Sequence, residues 1–204
     1  MPDVPPPANF AQETLPVIPP PTGATWFRVY DSRFSDPLGT GLRESRFSDG
    51  TFPVLYLASD RETTIAETLI RDRRTGSPYP VVISQSELIA VDVGIITLSR
   101  ELKLLDFQDG KLIGTSVDTD LVQRRKFMPG WARALYDHPA AFDGALYPSR
   151  LTGNLNVALY DRGIAQASLV WKTQLLHWPD IEDILDAHNV AIDDESEPAD
   201  DPKA

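Results

Sequence analysis

The chain has 204 residues, 42% of them hydrophobic and 24% charged, with no cysteine and a formal net charge of −11. That is the composition of one ordinary globular domain, and the missing thiols exclude disulfides, thiolate metal sites and cysteine nucleophiles. The charge is uneven: from Asp180 onward there are ten acids against one lysine, leaving 20 acids and 18 bases before it, so a near-neutral body with an acidic end has no general attraction for a phosphate backbone.

Direct nucleic-acid binding is therefore not expected. No apolar run is long enough to cross a bilayer, and MPDVPPPANF lacks both the basic start and the apolar core of a secretory signal, so the cytoplasm is the expected compartment. The three histidines, His138, His177 and His188, have no ligand-pair spacing, and no metal is expected.

Residues 1–23 contain eight prolines, which favour extended chain over helix or ladder, and are predicted to form an arm. One folded unit is expected over 24–191, followed by an acidic, disordered tail over 192–204. WFRVY (26–30) reads as a strand, and the loop over 31–50 is long enough to suggest function. VLYLA (54–58) is the next strand. Ser59 and Glu62 have capping-box spacing, which predicts a helix running to about Arg74.

YPVVIS, ELIAVDV and ELKLLDF read as strands, DTDLVQRRKF and PGWARALYDH as helices, and DGALYP and NVALYD as a late strand pair. SLVWKTQLLHW fits either period. Pro179 suits the first turn of a last helix, PDIEDILDAHNV, with acids near its N-terminus. This irregular order predicts an α+β fold, with a mixed or antiparallel sheet and flanking helices. Neither familiar phosphate loop is present: GTG at 39–41 does not complete G-x-G-x-x-G, and no G-x-x-x-x-G-K-[ST] occurs.

At 100° per residue, Ile65, Ala66, Leu69 and Ile70 share one helix face and Glu67 falls at its edge. The ordinary reading of such a glutamate is solvated surface. Tyr56 alternates in phase with Val54 and Ala58, which fits a core tyrosine whose hydroxyl finds a backbone partner. Arg28, between Phe27 and Val29, needs a wet cleft or an anion, and a guanidinium can grip a diphosphate through two parallel donors. Arg43 and Arg46 lie in the long loop, where solvated arginines are common. Ser149 lies between two strand-like runs, either as a turn-stabilising hydroxyl or as a group that orients a ligand; no G-x-S-x-G motif or histidine pattern supports it as a nucleophile.

Taken together, WFRVY, RFSDGTFPVLYLASDRETTIAETLIR and FDGALYPSRLTGNLNVALYD resemble the RES domain family, named for its signature arginine, glutamate and serine. The resemblance covers most of residues 24–178. It implies an ADP-ribosyltransferase-like α+β fold and an enzyme that degrades NAD+ by cleaving the nicotinamide–ribose bond, with NAD+ as substrate and no separate cofactor. It also implies the toxin of a toxin–antitoxin pair, held by a cognate antitoxin that carries a helix-turn-helix DNA-binding domain. A homodimer fits the resemblance as well.

By motif, catalytic roles fall on Glu67, Arg46 and Ser149, and substrate-binding roles on Arg28, Tyr56 and Ser48. Many members have G-G-R-W-N where this chain has Glu44, Ser45, Arg46, Phe47 and Ser48, so Ser48 stands where the family has asparagine. The acceptor stays open: water makes a glycohydrolase, phosphate a phosphorylase, and a protein side chain an ADP-ribosyltransferase. A reading of another class is a catalytically inactive binding module that recruits partners through its Pro-rich arm.

Overall fold

The computed structural model describes residues 5–21, 23–73, 80–98, 102–108 and 129–193. The expected α+β fold is present. An eight-stranded mixed sheet has the order β1-β8-β9-β10-β5-β2-β7-β11. Its strands are β1 (Val17–Ile18), β2 (Thr25–Asp31), β5 (Val54–Ala58), β7 (Val91–Leu98), β8 (Leu104–Asp106), β9 (Gly144–Pro148), β10 (Leu155–Tyr160) and β11 (Ala167–Gln174). All neighbours described as paired are antiparallel except β8 and β9, which are parallel. Two small sheets accompany it: the hairpin β3 (Glu44–Ser45) and β4 (Ser48–Asp49), and the parallel pair β6 (Val81–Ser84) and β12 (Val190–Asp193).

Strand register assigns the faces. Trp26, Leu55, Leu57, Ile96, Leu104, Leu146, Val157 and Leu159 form one buried cluster. Two others pack around the helices. One gathers Phe10, Phe47, Phe107, Tyr160, and Trp131 and Leu135 of α3 (Pro129–Tyr136). The other gathers Val29, Ile65, Ile70, Leu88 and Leu185 from β2, the helix after β5, α2 (Gln85–Ile89) and α5 (Ile181–Ala187). A short α4 (Asp161–Ile164) follows β10 directly. At Gly144 the chain passes so close to β10 that a Cβ would lie 2.1 Å from the Ala158 carbonyl oxygen, so this position requires glycine.

The Pro-rich segment is tied down in its described part. Phe10 and Leu15 are buried, with the Phe10 ring edge-on to Trp131 at 5.1 Å, and β1 adds to the edge of the sheet through β8. At the other end, β12 extends through Ile192 and Asp193, the first two residues assigned to the tail. The rest of that tail, and the predicted helix DTDLVQRRKF, lie outside the described residues.

Several elements differ from expectation for local reasons. The helix after β5 is α1 (Arg61–Ile65), capped by Asp60 and not by Ser59: the Asp60 carboxylate accepts the Thr63 amide at 2.8 Å and the Thr63 hydroxyl at 2.9 Å. Ser59 is occupied elsewhere, accepting the Leu155 amide at 3.2 Å. A complete capping box does occur, between Ser84 and Glu87, and it makes a helix of the ELI that reads as strand. The strand begins only at Val91. SLVWKTQLLHW resolves into β11 followed by a 3-10 turn at Leu175–His177. Pro179 precedes α5 rather than entering its first turn, because Asp180 takes a left-handed conformation (φ 66°) as its N-cap.

Candidate functional site

The sheet opens where β2 meets β5. β2 pairs with β7 along its length, from Thr25 with Thr97 to Asp31 with Val91, and β5 pairs with β10 along its length, yet β2 and β5 share only Phe27 with Ala58. Beyond that junction the strands part. The Val29 amide, which a continuous ladder would have paired, is instead taken by the Thr64 hydroxyl at 3.1 Å. Arg28, Val29, Val54 and Tyr56 line the resulting cleft of about 720 Å³, together with Arg43, Arg46, Glu67, Arg71, Tyr147, Arg150 and Asn156. A second cleft of about 680 Å³ adjoins it under the 33–41 loop and shares Arg28, Arg43 and Tyr56.

Glu67 reaches this cleft from a widened turn. After α1 the chain continues as a π-helix, Ala66–Ile70, closed by a hydrogen bond from the Arg71 amide to the Ala66 carbonyl at 2.9 Å. Single π turns inside helices are frequent at functional sites. The apolar face predicted from the sequence is kept, since Ile65, Ala66 and Ile70 are fully buried, while the Glu67 side chain stays 17% exposed at the edge. Its carboxylate receives three donors: Ser149 Oγ at 2.7 Å and Asn156 Nδ2 at 3.5 Å on Oε1, and Arg71 Nη1 at 3.1 Å on Oε2. Burial opposes the charge on Arg71, but Glu67 and Asp72 more than offset it and raise the guanidinium's pKa above the ordinary value.

Ser149 lies behind the glutamate and is 4% exposed. Its oxygen accepts the amides of Leu151 at 3.1 Å and Thr152 at 3.4 Å, within a turn that Gly153 closes at φ 79°. With its lone pairs occupied by those amides, the hydroxyl proton is directed at Glu67. The hydroxyl thus stabilises a turn, the first of the two readings open from the sequence, and it also orients the Glu67 carboxylate. A second tie, between the Thr63 and Thr152 hydroxyls at 2.7 Å, fixes the same turn to α1.

Tyr56 works through its hydroxyl, which donates to Ser45 Oγ at 2.8 Å and accepts the Phe47 amide at 3.2 Å. Burial pushes the phenol's pKa up, so it stays protonated and able to donate. These bonds hold the two ends of the β3–β4 turn. Phe47 plugs the core with no exposure, against Phe107 and Tyr147. Arg46 is left at the cleft, its guanidinium 5.1 Å from the centre of the Tyr147 ring.

Arg28 also donates to the Pro37 carbonyl and, at 3.0 Å, to that of Gly39, tying the cleft to the 33–41 loop. Burial lowers its pKa, opposed by Asp36 and Tyr30, and an arginine remains charged under such a pull. The structure therefore brings Arg28, Arg46, Tyr56 and Glu67 to one cleft, with Ser149 in contact behind it. Ser48 lies elsewhere. It is 2% exposed, donates to the Phe52 carbonyl at 2.7 Å and accepts the Gly50 amide at 3.1 Å, so its hydroxyl secures the hairpin and does not line the cleft.

Sequence reasoning passed over Arg71 and Asn156. Arg71 was legible as the i+4 partner of Glu67, whereas Asn156 becomes visible only through strand register. The five lining arginines, Arg28, Arg43, Arg46, Arg71 and Arg150, outnumber the three acids Glu44, Glu67 and Asp72, which suits an anionic ligand. Among the described residues, no helix is long and apolar enough to cross a membrane and no group of three metal-ligating side chains occurs.

Residues 22–179 match the RES domain family. A curated relative, the probable toxin y4kH of Sinorhizobium fredii (strain NBRC 101917 / NGR234), is 30% identical over 126 residues, or 60% of this chain and 99% of the relative. Among solved structures, the M. tuberculosis MbcT–MbcA toxin–antitoxin complex contains a similar chain, with a TM-score of 0.56 and 16% identity over 78% of this chain and 85% of that one. At that identity the likeness is one of fold.

Proposed function

From the membership of this chain in the RES domain family, we propose that it is an NAD+-degrading enzyme that cleaves the nicotinamide–ribose bond and acts as a cytoplasmic toxin under a cognate antitoxin. The observation that carries this reading is the placement of one oriented carboxylate, Glu67, in the same cleft as Arg28 and Arg46. The resemblance of a probable toxin and of a toxin–antitoxin complex supports the biological part.

The chemistry needs little beyond this. The pyridinium of NAD+ already carries the positive charge that lets nicotinamide leave as a neutral amide, so no general acid is required. What remains is stabilisation of the oxocarbenium-like ribose, and a carboxylate fixed before the reaction supplies it without reorganisation. Arg71 and Ser149 hold that carboxylate. Arg28 and Arg43 line both clefts, so a diphosphate at the junction would place the nicotinamide riboside beside Glu67 and the remaining nucleoside under the 33–41 loop, with Arg46 gripping from the larger side. Tyr56 forms the floor between them and sets the turn that presents Arg46.

Purified protein incubated with NAD+, with and without inorganic phosphate, and analysed by mass spectrometry tests the proposal. Free nicotinamide with ADP-ribose identifies hydrolysis, a phosphorylated ADP-ribose identifies phosphorolysis, and a mass increase on protein identifies transfer. Unchanged NAD+ in every arm rejects the enzyme reading and leaves a binding module. In an active preparation, Ser149→Ala is expected to lower kcat about tenfold with little change in KM, because the hydroxyl orients the carboxylate without holding substrate. A purely higher KM would place Ser149 on the substrate instead.

A further inference from the structure

Asn156 is 4% exposed and its side chain lines the cleft beside Glu67. Among the described residues, the contact of Nδ2 with Glu67 Oε1 at 3.5 Å, at the outer limit of a hydrogen bond, is its one side-chain hydrogen bond. The carboxylate also fixes which way the amide faces: an amide oxygen turned toward Glu67 would meet negative charge, so nitrogen faces the carboxylate and Oδ1 is left as an acceptor in the cleft. That acceptor faces the cleft, where water or a ligand's hydrogen-bond donor can complete it.

Register shows what surrounds it. Asn156 stands opposite Ala58 on β5 and Tyr147 on β9, so the three form one row on the cleft face. Ala58 contributes only a methyl group on one side of Asn156, while Tyr147 with the Arg46 guanidinium closes the other. The space beside Asn156 is therefore bounded by a methyl group and an aromatic ring, with Oδ1 as an acceptor next to the Glu67 carboxylate and the Arg46 guanidinium at its edge. Such a place fits an aromatic ring bearing an N–H donor.

We propose that Asn156 is a specificity-determining residue that selects the amide over the acid on the pyridine ring of the substrate, through a hydrogen bond from the carboxamide N–H to Oδ1. The assignment rests on the NAD+-cleaving reading above. An acid analogue has no N–H to donate, and it would bring a second negative charge against both Oδ1 and Glu67. Sites built to hydrogen-bond a substrate group discriminate strongly against analogues that lack it.

The experiment compares kcat/KM for NAD+ and for nicotinic acid adenine dinucleotide in wild type, Asn156→Ala and Asn156→Val. The valine variant suits a strand and carries no hydrogen-bond acceptor, so it serves if the alanine variant does not fold. Wild type is expected to prefer NAD+ by about 100-fold or more, and both variants to shrink that preference by at least about tenfold, chiefly by losing activity on NAD+. Variants that lose activity on both dinucleotides equally, with the ratio unchanged, would overturn the assignment and make Asn156 a support for Glu67 or a contact of the ribose. Wild type that turns over neither dinucleotide overturns the enzyme reading itself, and this assignment with it.

Discussion

Glu67→Gln is expected to fold as wild type does and to lose NAD+ turnover by about 10²–10³-fold, the usual effect of removing one pre-positioned electrostatic group from a reacting centre. The substitution keeps shape and removes charge. Ser149 can still donate to the amide oxygen, and the loss of the Arg71 contact costs little stability because that arginine's side chain is 40% exposed. The expected signature is a fall in kcat, measured by nicotinamide release, with an unaltered circular dichroism spectrum and melting temperature. Turnover within tenfold of wild type would remove Glu67 from the mechanism.

Phe47→Ala is expected to have the largest effect on stability while also weakening substrate binding. Phe47 is fully buried between the rings of Phe107 and Tyr147, and emptying such a site costs about 3–5 kcal/mol. For a chain of this size that lowers Tm by roughly 10 °C. The functional effect has a separate cause: Phe47 anchors the β3–β4 turn, which also contains Arg46, and its amide is one of the two groups that Tyr56 holds. Phe47→Leu, which refills most of the volume, is expected to restore most of the melting temperature. If Phe47→Ala destabilised the protein while KM for NAD+ stayed unchanged, Arg46 would not depend on this plug.

How much of this was legible in the sequence depends on the range of the interaction. Elements with their own period were read well: β2, β5, β9 and β10 appear where alternation placed them, and the buried stripe of Ile65, Ala66 and Ile70 follows the helical period. Capping was less legible, because Ser59 and Asp60 are adjacent candidates and only the packing of Ser59 against Leu155 assigns the cap to Asp60. The turn around Ser149 shows the same limit, since its meeting with Glu67 spans 82 residues of sequence. Asn156 was hidden by register: NVALYD reads as an alternating strand whichever neighbours it has, and only pairing with Ala58 and Tyr147 gives the position its meaning. Ser48 stands where the family has asparagine, but its hydroxyl is spent within the hairpin.

Because β2 and β5 share only the Phe27–Ala58 pair, the aperture of the cleft is a property of the main chain. Residues along its walls can diverge widely and change what is bound without closing it. Its gauge is set at a vertex, like the opening of a pair of dividers, by the backbone pairing of Phe27 with Ala58.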